Sequence, residues 1–134
     1  MQDYFLAGVG GYVKALEETV VAVMVEKREV FAQLDAIIDN EGLDMVQFGP
    51  GDFSMSIGKP GVWDTPEQRE ARDRMIKTAL KYGVRPRVAL GVPDDARPLL
   101  DMGVRDFILG TDLGTMYTYF KEEGGKLQEV LKGR

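Results

Sequence analysis

Glu26 and Asp52 are the two side chains whose type and spacing point most directly to chemistry. Val20 to Val25 is an apolar run of strand type with Glu26 just past its end. Leu43 to Phe48 is a second such run, and Gly49-Pro50-Gly51 stops it abruptly, so Asp52 is expected on the loop leaving that strand. As neighbours in one parallel sheet the two runs would end roughly 5 Å apart, with both carboxylates facing one small volume that could hold a divalent cation. Each acid also has an ordinary reading. Asp52 is a common turn residue that satisfies loop amides, and Glu26 alone suits the first turn of a helix, where its charge favours the dipole. Their pairing at adjacent strand ends is what favours a cation.

Composition narrows the alternatives. The chain of 134 residues is the size of one modest domain, and its net charge of -5 without a basic run argues against nucleic-acid or anionic-membrane surfaces. It has no cysteine, which excludes disulfides and thiolate metal sites, and no histidine, which excludes imidazole bases, Ser-His-Asp triads and the usual zinc sites. Carboxylates, Lys, Arg, Tyr, hydroxyls and backbone amides remain. The first residues carry neither a basic leader nor a long apolar core, and no run approaches a membrane span, so the chain is expected to be soluble and cytoplasmic.

The elements that must position the two acids follow a regular alternation. Residues 1–18 form a lead-in broken by Gly8, Gly10 and Gly11, with a short helical turn around Tyr12, Val13 and Leu16. Residues 19–134 then read as four βα units in a single domain: strands at 20–25, 43–48, 84–91 and 104–109, each followed by an amphipathic helix. The helix at 28–39 places Val30, Leu34, Ile37 and Ile38 on one face. The next opens with Thr65 as N-cap, Pro66 at its first position and Gln68 completing a capping box; Ala71, Met75, Ala79 and Leu80 supply its buried stripe. Pro98 fits a short helix only in its first turn. The last helix is expected from about Leu113, capped by Asp112 and interrupted at Gly124-Gly125. Trp63 reads as a partly buried packing aromatic, and Arg69, Arg72, Arg74 and Lys77 as a solvated helix side. Alternation of this kind means an α/β fold whose parallel strands present their carboxyl ends on one rim, where ligands bind.

Val25-Glu26, Leu34-Asp35, Gly42-Leu43-Asp44, the run Phe-Gly-Pro-Gly-Asp-Phe-Ser at 48–54 and Ile57-Gly58 resemble the HpcH/HpaI aldolase family, also described as 2,4-dihydroxyhept-2-ene-1,7-dioate or 2-dehydro-3-deoxyglucarate aldolases. Pro93-Asp94-Asp95-Ala96-Arg97, Gly103 and Leu109-Gly110-Thr111-Asp112-Leu113 are similar to that family's closing strand and helices. The resemblance implies a (β/α)8 barrel, roughly 250 residues when complete, of which this chain matches the second half. It further implies a class II aldolase that makes or breaks a carbon–carbon bond between a 2-oxo acid such as pyruvate and an aldehyde. Glu26 and Asp52 would then be the ligands of Mg2+ or Mn2+, and Gly49, Gly51 and Asp52 would bind substrate, the amides around Gly51 and Asp52 receiving the acid's carboxylate. The family's keto-orienting arginine and its histidine–aspartate pair belong to the half that has no match here. Lys27 stands where the family usually has threonine, beside Glu26, and Gln33 where it has asparagine.

Two other functions fit the same residues: a citrate-lyase or malyl-CoA-lyase type of enzyme, and a non-catalytic half-barrel that binds a metal or small acid or serves in assembly. Four parallel strands leave the first as a bare, very apolar edge. The chain is therefore expected to pair with a second copy, to join a complementary N-terminal half-barrel, or to be a fragment of a longer enzyme.

Overall fold

A computed structural model of the chain describes residues 8–133, so residues 1–7 of the expected lead-in lie outside the described residues. The elements run α1 (Gly8–Glu17), β1 (Ala22–Val25), a 3-10 turn (Arg28–Gln33) leading into α2 (Leu34–Ile38), β2 (Met45–Phe48), α3 (Pro50–Ser56), α4 (Pro66–Lys81), β3 (Arg85–Leu90), α5 (Ala96–Asp101) after a 3-10 turn, β4 (Asp106–Leu109) and α6 (Asp112–Lys132). The strands form one parallel sheet ordered β1-β2-β3-β4, with Val25 opposite Phe48 and Gln47 opposite Arg87. This is the α/β arrangement of four βα units that the alternation predicts. The chain divides inside β3 into two compact units, Met1–Arg87 and Val88–Arg134.

In the first unit, α2, α3 and α4 cover one face of β1 and β2. Val25, Val46 and Phe48 from the strands and Leu34, Phe53, Met75 and Ile76 from the helices are all buried. Phe53 anchors α3: its ring lies 5.1 Å from that of Phe48 and 5.7 Å, edge-on, from that of Phe31. Arg74, expected among solvated residues, donates to the Phe31 carbonyl at 2.8 Å and sits over the Phe31 ring. Arg74 itself stays exposed, as the solvated helix side predicts, and its guanidinium links α4 to the turn before α2.

α4 starts as the sequence predicts, with Thr65 Oγ1 accepting from the Gln68 amide at 3.2 Å and Gln68 Oε1 from the Thr65 amide at 2.9 Å. Gln68 is itself buried, and its Nε2 donates to the carbonyls of Pro50 and Val62. The cap of α4 thus ties down the start of α3. The buried stripe is Gln68, Met75, Ile76 and Ala79, and Leu80 is exposed, because the face centred on 75 and 79 leaves residue 80 on its flank.

In the second unit Pro98 lies in the first turn of α5, as its missing amide requires, and Leu99 and Val104 are buried. Thr111, rather than Asp112, caps α6: Thr111 Oγ1 accepts from the Gly114 amide at 3.0 Å, and Asp112 is the first helical residue. The helix then runs unbroken through Gly124-Gly125 to Lys132. Two glycines cost a helix about 2 kcal/mol relative to alanine, too little to break one of 21 residues whose remaining sequence favours it.

Candidate functional site

β1 ends at Val25, and the Val25 carbonyl accepts from the Gly49 amide at 3.0 Å, so Glu26 and Gly49 leave the sheet side by side. The side chain of Glu26 lies directly over the α-carbon of Gly49. A Cβ at position 49 would stand 2.6 Å from Glu26 Oε1 and 2.7 Å from its Cγ. No other residue fits there without displacing the carboxylate. Gly49 is therefore a glycine for the sake of Glu26.

Asp52 is carried by a helix and not by the loop that the Gly-Pro-Gly run predicts. Pro50 occupies the first position of α3, the Phe53 amide donates to the Gly49 carbonyl at 3.0 Å, and Asp52 falls in the first turn. The reason is local: the fixed φ of proline is already helical, and burial of Phe53 and Ser54 rewards continuing the turn. Glu26 is half-buried and Asp52 exposed.

Neither carboxylate forms a hydrogen bond or ion pair with any described residue, and Lys27, which stands beside Glu26 in sequence, forms no ion pair among them. The neighbouring cations are engaged elsewhere. Arg28 reaches Glu67 at 2.7 Å and Lys59 reaches it at 3.2 Å, while the Arg28 amide donates to Ser56 Oγ at 3.1 Å. The Arg28 guanidinium, and next Lys59, hold the Glu67 carboxyl below its usual range. These bonds fasten the segment after β1 to the end of α3 and the start of α4.

Trp63 is 62% exposed rather than packed. Gln68 takes the buried place beneath its loop, and the tip of the indole lies 3.5 Å from where a Cβ on Gly51 would be. One pair escaped the sequence reading: Arg87 Nε donates to Gln47 Oε1 at 2.8 Å. Polar residues at matching positions of two apolar strands were the available signal.

The donor set suits a hard cation. Carboxylate oxygens are the preferred ligands of Mg2+ and Mn2+, which keep further positions for substrate or water, and both acids here are uncommitted to the protein. No group of three or more His, Cys, Asp or Glu placed to hold a metal occurs among the described residues.

Residues 3–118 match the family described as HpcH/HpaI aldolase/citrate lyase. Among curated proteins, the chain is 30% identical over 112 residues to a 5-keto-4-deoxy-D-glucarate aldolase from Klebsiella pneumoniae, a match covering 84% of this chain and 42% of the relative. It is 31% identical over 99 residues to a 4-hydroxy-2-oxo-heptane-1,7-dioate aldolase from Escherichia coli, covering 74% and 38%. In fold it is similar to the crystal structure of citrate synthase SbnG, with a TM-score of 0.82 and 23% identity over 95% of this chain and 52% of the other. The chain thus spans about two fifths of the curated relatives it matches, one half of the barrel. The motif at 48–54, the four βα units and the match over 3–118 agree, and the chain belongs to the HpcH/HpaI aldolase/citrate lyase family.

Proposed function

We propose that this chain is the metal-binding half of a class II carbon–carbon lyase that cleaves or forms 2-oxo acids, with a pyruvate-type acid and an aldehyde as products. The observation that carries the reading is the seating of Glu26 over Gly49, three residues ahead of Asp52 on α3. Glu26 and Asp52 would hold Mg2+ or Mn2+ through their carboxylate oxygens. When bound, such a cation polarises the keto oxygen of the acid as a Lewis acid. The chain's own contribution is positional: Gly49 leaves the room that the Glu26 side chain takes, and the amides around Gly51 and Asp52 would receive the acid's carboxylate.

In the cleavage direction the carbon–carbon bond breaks, the hydroxyl of the departing fragment becomes the aldehyde carbonyl, and the methyl carbon of pyruvate gains a proton. The chain contains no histidine to deliver that proton. Proton transfer is therefore assigned to water or to a half-barrel that completes the site, either a second copy or a complementary N-terminal half. The test is pyruvate release from a 4-hydroxy-2-oxo acid, followed with lactate dehydrogenase at increasing protein concentration. Turnover that requires Mn2+ and vanishes in Glu26→Gln and Asp52→Asn supports the reading. Metal-independent turnover, or turnover that survives both substitutions, refutes it.

A further inference from the structure

The sheet face that carries Glu26 also carries a guanidinium. Phe48 points to the helical side, where it meets Phe53, so Gln47 and Gly49 point to the other. A Cβ on Gly49 would strike Glu26 on that side, and Arg87, opposite Gln47 in register, bonds to it there. Glu26, Gln47 and Arg87 therefore line one surface within the first unit. Gln47 precedes Gly49 by one pleat repeat, about 7 Å along the strand, which sets the Arg87 level that far beneath the Glu26 carboxylate.

The Arg87–Gln47 bond occupies Nε alone. Nη1 and Nη2 donate to no described residue, and Arg87 forms no ion pair among the described residues. A guanidinium held at Nε has less freedom to turn, and its planar fork of Nη donors matches the two oxygens of a carboxylate better than a mobile ammonium does. Its part-buried setting makes an uncompensated charge costly and an anionic ligand favourable.

We propose that Arg87, held in place by Gln47, receives the carboxylate of the small acid that would approach the cation held by Glu26 and Asp52. The inference rests on the function proposed above. It restricts the substrate class to free acids, because an ester or amide offers the fork no negative charge. The amides at the start of α3 are compatible with this role, since a carboxylate has about four lone-pair directions to share.

The test uses the full chain and two probes, pyruvate and its methyl ester, titrated calorimetrically with and without Mn2+. Wild type is expected to prefer pyruvate, and Arg87→Ala to weaken pyruvate about tenfold or more with the ester and Mn2+ affinities unchanged. Gln47→Leu should cause a smaller loss of the same kind, because it frees the fork without removing it. Where Arg87→Ala does not fold, Arg87→Lys decides, by a several-fold loss confined to pyruvate. Unchanged pyruvate binding, an equal loss for both probes, or a wild type that binds no pyruvate or shows no preference for the acid overturns the proposal. The metal reading fails by a separate sign, the insensitivity of Mn2+ binding to Glu26→Gln and Asp52→Asn.

Discussion

Gly49 decides where Glu26 can be. The carboxylate occupies the volume that any Cβ at position 49 would need, so Gly49→Ala must push Glu26 aside or shift the backbone between β2 and α3. We expect Gly49→Ala to fold yet weaken Mn2+ binding at least tenfold, measured by quenching of the free Mn2+ electron paramagnetic resonance signal; unaltered binding would show that the observed position of Glu26 is unimportant. At this scale the two candidate acids of the proposed site were readable. Glu26 and Asp52 announce themselves by type and by the Gly-Pro-Gly stop. The dependence of Glu26 on Gly49, the exposure of Trp63 and the Arg87–Gln47 bond were not readable, because each is a contact between residues at least 12 positions apart.

Among the elements, the strands and α4 were legible because apolar runs and a Thr-Pro-x-Gln cap are local signals. α3 was hidden by its own Gly-Pro-Gly opening, which resembles a turn until Phe53 is seen to be buried. The unbroken α6 shows the reverse error, in which two glycines read as an interruption are outweighed by the helix formers around them. Exposed ion pairs add to the apolar packing that joins the elements. Hydrogen bonds from Lys81 and Tyr82 lower the Asp35 carboxyl and link α2 to the end of α4, while those from Arg28 and Lys59 lower Glu67. Both folded-state values lie below the unfolded ones. Their stabilisation is present above the ordinary carboxyl range and lost as pH falls through about 4 toward the lower folded values. Thermal melts should fall across that window in wild type and fall less in Asp35→Asn and Glu67→Gln; identical acid slopes in all three proteins would count against these links. Lys81, raised chiefly by Asp35, carries the mirror effect, retained below its ordinary value and lost in strong alkali.

For the whole molecule, no helix among the described residues is long and apolar enough to cross a membrane. Large apolar side chains nevertheless face outward at β1, where Val20, Val21 and Met24 are about half exposed, and along α6, where Leu113, Tyr117, Phe120 and Leu131 stand open. β1 ends the sheet, with β2 as its one partner among the described strands. Bare ladder groups on an apolar edge favour association. Light scattering is expected to give a mass above that of one 14.9 kDa chain, rising with concentration, and a monodisperse monomer would contradict this expectation. The parallel α/β sheet was legible in the sequence because βα alternation persists from residue 19 onward, and that it is half of a barrel was implied by the family resemblance. What completes it was not, since an open edge specifies that pairing is favourable without specifying the partner.

Glu26 and Asp52 are proposed to share one hard cation, and a calorimetric Mn2+ titration reads that sharing directly. Wild type should bind one Mn2+ per site, with Mg2+ competing, and Glu26→Gln and Asp52→Asn should each abolish most of the binding while the double variant is little worse than either alone. Independent, additive losses, or binding that persists in the double variant, would mean that the two carboxylates do not serve one ion.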